Sequence, residues 1–311
     1  MIKILLRQIS INLSFFFKKK FKFNKKKHIL TEKYINQKAK DLYLKNPRLS
    51  VHKKLSNEIL NLIKEKKLEI FLRDTFVQNI FFIHNRLFIF FELKELKNDK
   101  NWNLWKRLIK DSPIGKPVWY FLYPESTGNR IRQVYIIKKF LDLNPSIEIK
   151  KIKKIIEIGG GYGCMADIFL KINKNINYTI YDMYEVNLLQ YYYLKMNNHN
   201  PKLNSFKRNI SLINKISDLK KNKNNSLVIA NWSLSEFPLN FRKKFISTIK
   251  NSKYTIISFQ KNFEKIDNYN FFIKQINKLG SKFITKVDTY DHYNNSYLNK
   301  NKHFILTICK K

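Results

Sequence analysis

Glycine, alanine and cysteine are scarce in this chain of 311 residues: seven glycines, two cysteines, and Ala at 39, 166 and 230 alone. Cys164 and Cys309 form no Cys-x-x-Cys pair, so neither a disulfide framework nor a cysteine-zinc site follows. That usage fits the reducing cytoplasm. No apolar run reaches the length of a membrane span. No internal repeat is present, and no Gly-Lys-Ser/Thr sequence, which excludes a P-loop. With 44% apolar residues, global disorder is excluded as well, and the length suffices for a buried core.

Acidic residues are the other shortage. Against 61 Lys and Arg stand 23 Asp and Glu, a formal net charge of +38. Taken alone, that balance points to nucleic acid or an anionic membrane. The abundance of Lys, Asn, Ile, Phe and Tyr beside so little Ala and Gly reads instead as codon composition acting on the whole surface. Nucleic acid is therefore not the expected partner.

The chain divides into three stretches by pattern. Residues 1–30 form a basic amphipathic extension: Ile2, Leu5, Leu6, Ile9, Leu13 and Phe16 recur at helical spacing, and residues 18–27 hold seven lysines. The lack of a small-residue cleavage site argues against a signal peptide. Residues 1–27 suit peripheral contact with the inner face of a membrane, a frayed extension, or a helix packed on the main domain. Residues 31–150 are mainly helical, with turn-rich breaks at 111–117 and 124–129 and a helix from Arg130 to about Leu141.

From 151 to 311 the rhythm becomes α/β. Strands are expected at Ile152–Ile158, Tyr178–Tyr181, Leu227–Ala230, Tyr254–Phe259, Phe283–Val287 and Phe304–Cys309. Helices are expected at about Cys164–Ile172, Val186–Met196, Phe241–Ile249 and Phe271–Leu279. Such alternation predicts a Rossmann-like doubly wound sheet, with the last two strands as an antiparallel hairpin at one edge.

The sharpest signal is Glu157-Ile158-Gly159-Gly160-Gly161-Tyr162-Gly163. Four of the seven glycines fall within five positions. A strand must turn abruptly into a helix there, with a ligand lying against bare backbone. The dinucleotide fingerprint G-x-G-x-x-G fails, because Cys164 stands where its third glycine would be. Nineteen residues after Gly163 comes Asp182, directly after a strand. An acid at that place takes the hydroxyls of a ribose, so the pair of features points to an adenosine-containing cofactor.

The E-x-G-x-G-x-G turn with its second-strand acid resembles the class I S-adenosylmethionine-dependent methyltransferases. The wording IIEIGGGYG, YDMYEVNLLQYYYL and NWSLSEFP, led in by STGNRIRQVY, is similar to the sugar O-methyltransferases of bacterial surface-glycan gene clusters. The resemblance implies a class I methyltransferase sheet with S-adenosyl-L-methionine as cofactor, held by Glu157, Gly159, Gly161, Gly163 and Asp182. It also implies a sugar or lipid-linked glycan acceptor.

Loops at the carboxyl ends of central strands line the ligand crevice, which sets Asn231 beside the cofactor and Ser233 and Glu236 near the acceptor. Glu236 is one candidate base for a sugar hydroxyl; Ser233-x-x-Glu236 also reads as a capping box. His292, ahead of the last strand, is the second candidate base. Arg132 and Tyr135, on the helix before the α/β half, are candidate substrate ligands, since Arg binds carboxylates bidentately. No metal is expected. The alternatives are an RNA methyltransferase, supported by charge alone, and a non-catalytic adenosine-binding protein.

Overall fold

The computed structural model describes residues 23–45, 53–81, 86–205, 209–219, 226–290 and 302–311. The chain forms two compact units. The first is 1–135, 161–171 and 183–203; the second is 136–160, 172–182 and 204–311.

The first unit is helical. Its elements are α1 (Lys25–Lys45), α2 (Lys53–Lys64), α3 (Thr75–Phe81), α4 (Leu87–Asn98), α5 (Trp102–Ile109), the start of α6 (Gly128–Leu143), α7 (Cys164–Ile172) and α8 (Tyr184–Met196). An aromatic cluster centres on Phe71, whose ring lies edge-on to Tyr162, Tyr192 and Tyr193 at 6.0–6.3 Å. Beside it sits a buried ion cluster. Arg130 Nη1 donates to Asp167 Oδ2 at 2.7 Å and to Asp111 Oδ1 at 3.3 Å. His199 Nε2 lies 2.7 Å from Asp167 Oδ1. Burial without such partners would be costly for an arginine; here two carboxylates hold the guanidinium charged, and Arg130 and His199 together outweigh burial and keep Asp167 far below the usual carboxylate range.

The second unit is built on β1 (Lys154–Ile158), β2 (Asn177–Tyr181), β3 (Ile210–Ile213), β4 (Leu227–Asn231), β5 (Tyr254–Gln260), β6 (Phe283–Thr289) and β7 (His303–Lys310). These seven run in the order β3-β2-β1-β4-β5-β7-β6. The first five are parallel, and β7 is antiparallel to both neighbours. Strands β1 to β5 are near-continuous apolar runs, as strands covered on both faces must be. On one face α10 (Leu239–Asn251) and α11 (Asn268–Ile276) pack Phe245, Ile249, Phe272 and Ile276 onto Ile158, Val228, Ile257 and Leu306. On the other, the end of α6 lays Phe140 on Tyr254, with ring centroids 6.3 Å apart, and Cys309 Sγ donates to Asn144 Oδ1.

The expected alternation, doubly wound sheet and terminal hairpin are all present. Strand β3 and the short helix α9 (Ile216–Leu219) are additions to it. No described helix is long and apolar enough to cross a membrane. Most of the basic extension falls outside the described residues, as does His292.

Candidate active site

Strand order reverses at β1, which pairs with β2 on one side and β4 on the other. Ligands of open α/β sheets bind at the carboxyl ends beside such a switch point. In the second unit those ends bring together Gly159, Gly160, Asp182, Asn214, Asn231–Glu236 and Gln260. Because β7 runs backwards, its first residue, His303, pairs with Gln260 at the same end.

The turn is fixed by backbone bonds. Gly159 N donates to the Tyr181 carbonyl at 2.9 Å, and Asp182 N to the Ile213 carbonyl at 3.0 Å. Gly160 N donates to Asp182 Oδ2 at 2.9 Å. A carboxylate offers about four acceptor sites, so this bond orients Asp182 without exhausting it.

The glycines divide by task. Gly159 has φ +72°, and a Cβ there would stand 2.3 Å from Ser233 Cβ. Its bareness admits the close approach of the β4 loop. Gly161 has φ +53°, and its nearest neighbour to an added Cβ is Phe81 Cδ1 at 3.6 Å. A Cβ there would make only ordinary van der Waals contact with the Phe81 side chain, so what favours glycine at 161 is its positive φ. Gly163, at φ +95°, abuts Leu194 and Tyr193 of α8. Gln190 Nε2 donates to the Gly161 carbonyl at 2.9 Å.

Glu157 is 4% exposed and accepts a 2.9 Å bond from the Tyr178 hydroxyl. Burial raises its carboxyl to about 8, the Tyr178 bond opposing and the Asp182 charge adding. The carboxyl is therefore protonated at neutral pH.

After β4 the chain is strained. Trp232 has φ +50°, a conformation bulky residues rarely take. Its backbone N donates to the Ser258 carbonyl at 2.8 Å, and its indole Nε1 donates to His303 Nδ1 at 2.7 Å. Strain of this kind gathers at functional sites. The Ser233 hydroxyl donates to the Ile158 carbonyl and makes no cap bond, so the capping box does not form. Ser258 Oγ donates to Asn231 Oδ1 at 2.9 Å.

Glu236 ends a short 3₁₀ turn, Leu234–Glu236. Its Oε1 accepts from Gln260 Nε2 at 3.3 Å, while Gln260 Oε1 accepts from Ser235 at 3.1 Å. Burial raises the Glu236 carboxyl to about 7, with the Gln260 bond and Arg242 opposing. That is the range a general base at neutral pH requires.

Of the candidate substrate ligands, Arg132 and Tyr135 lie in the first unit. The Arg132 guanidinium stands 4.9 Å from the Phe88 ring centroid, and the Tyr135 hydroxyl donates to Glu95 Oε1 at 3.0 Å. Sequence inspection missed Asn214, the first residue after β3. Its Oδ1 is buried with no hydrogen-bond partner among the described residues. The polar residue closing the apolar run Ile210–Ile213 was the available signal.

No protein-family model and no curated protein matches the chain. Among solved structures it is similar to the methyltransferase domain of bacterial CtHen1-C, at 14% identity over 58% of this chain and 96% of that one, TM-score 0.43. It is similar to magnesium protoporphyrin IX methyltransferase from Synechocystis PCC 6803 with bound SAM, at 12% identity over 74% and 100%, TM-score 0.40. It is also similar to precorrin-6y C5,15-methyltransferase from Geobacter metallireducens GS-15, at 12% over 51% and 81%, TM-score 0.37. Likeness at this level is one of chain path and carries no ligand with it. The observed strand order, with its reversed β7, is the Rossmann-like doubly wound sheet with an antiparallel edge hairpin.

Proposed function

We propose that this chain is an S-adenosylmethionine-dependent O-methyltransferase acting on a sugar hydroxyl of a surface or lipid-linked glycan. The observation that carries the cofactor is Asp182, held by Gly160 N at the carboxyl end of β2, where a ribose diol is taken. One further feature fits the same molecule: the partnerless Asn214 Oδ1 suits an exocyclic amine of a purine.

When bound, the cofactor supplies a methyl group on a sulfonium sulfur. The acceptor oxygen takes that methyl as the C–S bond breaks, so it must approach in line. Glu236 takes the hydroxyl proton on a carboxylate oxygen. Its half-buried setting, with a carboxyl at about 7, matches the base to neutral pH. Gln260 fixes the carboxylate's rotation. The sugar rests on the resemblance of NWSLSEFP and its companion segments, and on this base beside the β4 loop.

The test is methyl-label transfer into cell-surface glycan extracts by wild type and by Glu236→Gln. Label in a base-stable sugar ether, lowered about 10²–10⁴-fold in the variant, is the expected result. Labelled RNA without labelled glycan overturns the acceptor; binding of NADH but not S-adenosylmethionine overturns the cofactor.

A further inference from the structure

Helix α1 buries one side and leaves the other in water. His28, Thr31, Ile35 and Ala39 are buried, with His28 Nδ1 2.9 Å from the Tyr192 hydroxyl of α8. At 3.6 residues per turn, the exposed positions Lys25, Lys26, Ile29, Leu30, Lys33 and Tyr34 fall on the opposite arc. No exposed position from 25 to 40 is acidic. In the middle of the arc Ile29 is 52% and Leu30 60% exposed, and Tyr34 is 39% exposed. Two adjacent aliphatic side chains thus stand in water, framed by cations.

We propose that this face of α1 docks on an anionic lipid surface. The two aliphatics enter the boundary between headgroups and acyl chains, and the lysine stems carry their ammonium groups out to the phosphates. Tyr34 has the amphipathic ring that such a boundary favours. A nucleic acid would satisfy the lysines yet leave Ile29 and Leu30 in water, and no arginine stands on this face. Docking would bring the enzyme to a lipid-linked acceptor, and in that respect it rests on the glycan reading. The vesicle experiment uses neither acceptor nor cofactor, so the two fail separately.

The full-length chain is sedimented with phosphatidylcholine vesicles, and with vesicles that also contain phosphatidylglycerol, at two salt concentrations. Wild type is expected to partition onto the anionic vesicles alone, less at high salt. Lys25→Gln/Lys26→Gln/Lys33→Gln should lower partition about fivefold per lysine. Ile29→Ser/Leu30→Ser should lower it about tenfold or more. All five sites are exposed, so thermal melting should be unchanged in both variants. Equal partition of the serine variant and wild type overturns the proposal. So does a wild type that ignores anionic vesicles while binding an RNA homopolymer.

Discussion

Glu157→Gln tests the buried carboxyl beneath the glycine turn. In the native state Glu157 titrates at about 8 instead of 4.5, chiefly through burial; unfolded, it returns to the ordinary carboxylate range. Between those values the folded chain holds a proton that the unfolded chain has released. The stabilisation is thus full below the lower value and falls as pH rises, levelling off above pH 8. Each pH unit costs about 1.4 kcal/mol, and the whole window roughly 5 kcal/mol, as much as the total stability of many domains. Gln keeps a carbonyl oxygen for the Tyr178 hydroxyl and has no proton to lose. In urea melts across pH the variant should match wild type near pH 5 and exceed it by several kcal/mol above pH 8. Other titrating groups cancel in the difference. Parallel profiles for the two proteins would refute a protonated carboxyl at this position. Tyr178→Phe removes the bond that opposes the shift, and should carry the fall in stability to still higher pH.

Asp182→Ala should weaken S-adenosylmethionine about ten- to hundredfold by calorimetry, the loss of a charged hydrogen-bond partner; unchanged affinity would remove Asp182 from the site. Gly159→Ala should unfold at clearly lower denaturant, since its Cβ meets Ser233 at 2.3 Å. Gly161→Ala, 3.6 Å from its nearest neighbour, should lose only about 1–2 kcal/mol of stability yet bind cofactor poorly. Equal melting of these two variants would show that the glycines do not divide as described. In wild type, methyl transfer should rise with pH through about 7 as Glu236 ionises, and this limb should vanish from the residual activity of Glu236→Gln.

Much of the second unit could be read in advance because its strands are long apolar runs between turn residues. Strand β3 escaped because it is four residues long and flanked by Asn and Lys; missing it hid Asn214. The glycine turn and Asp182 were legible because their spacing is local to one β-α-β passage. The β4 loop was not, because its shape comes from distant partners. The Ser233 hydroxyl bonds a carbonyl 75 residues away, and the Trp232 indole bonds a histidine 71 residues away. The Ser-x-x-Glu pattern predicted a cap correctly by local rules and lost to that longer bond. Likewise, the charge of the first unit said nothing of the buried cluster, which rests on Arg130, Asp111 and Asp167 meeting across three segments.

The contact of Gly159 with Ser233 makes two loops into one joint. A larger residue at 159 would press on the Ser233 side chain, and a larger one at 233 would press on the turn. A foreign loop grafted over 232–237 will therefore keep the fold only when the graft brings a residue of serine size at 233, or arrives together with its own glycine turn. The two segments are transferable as a pair and not singly.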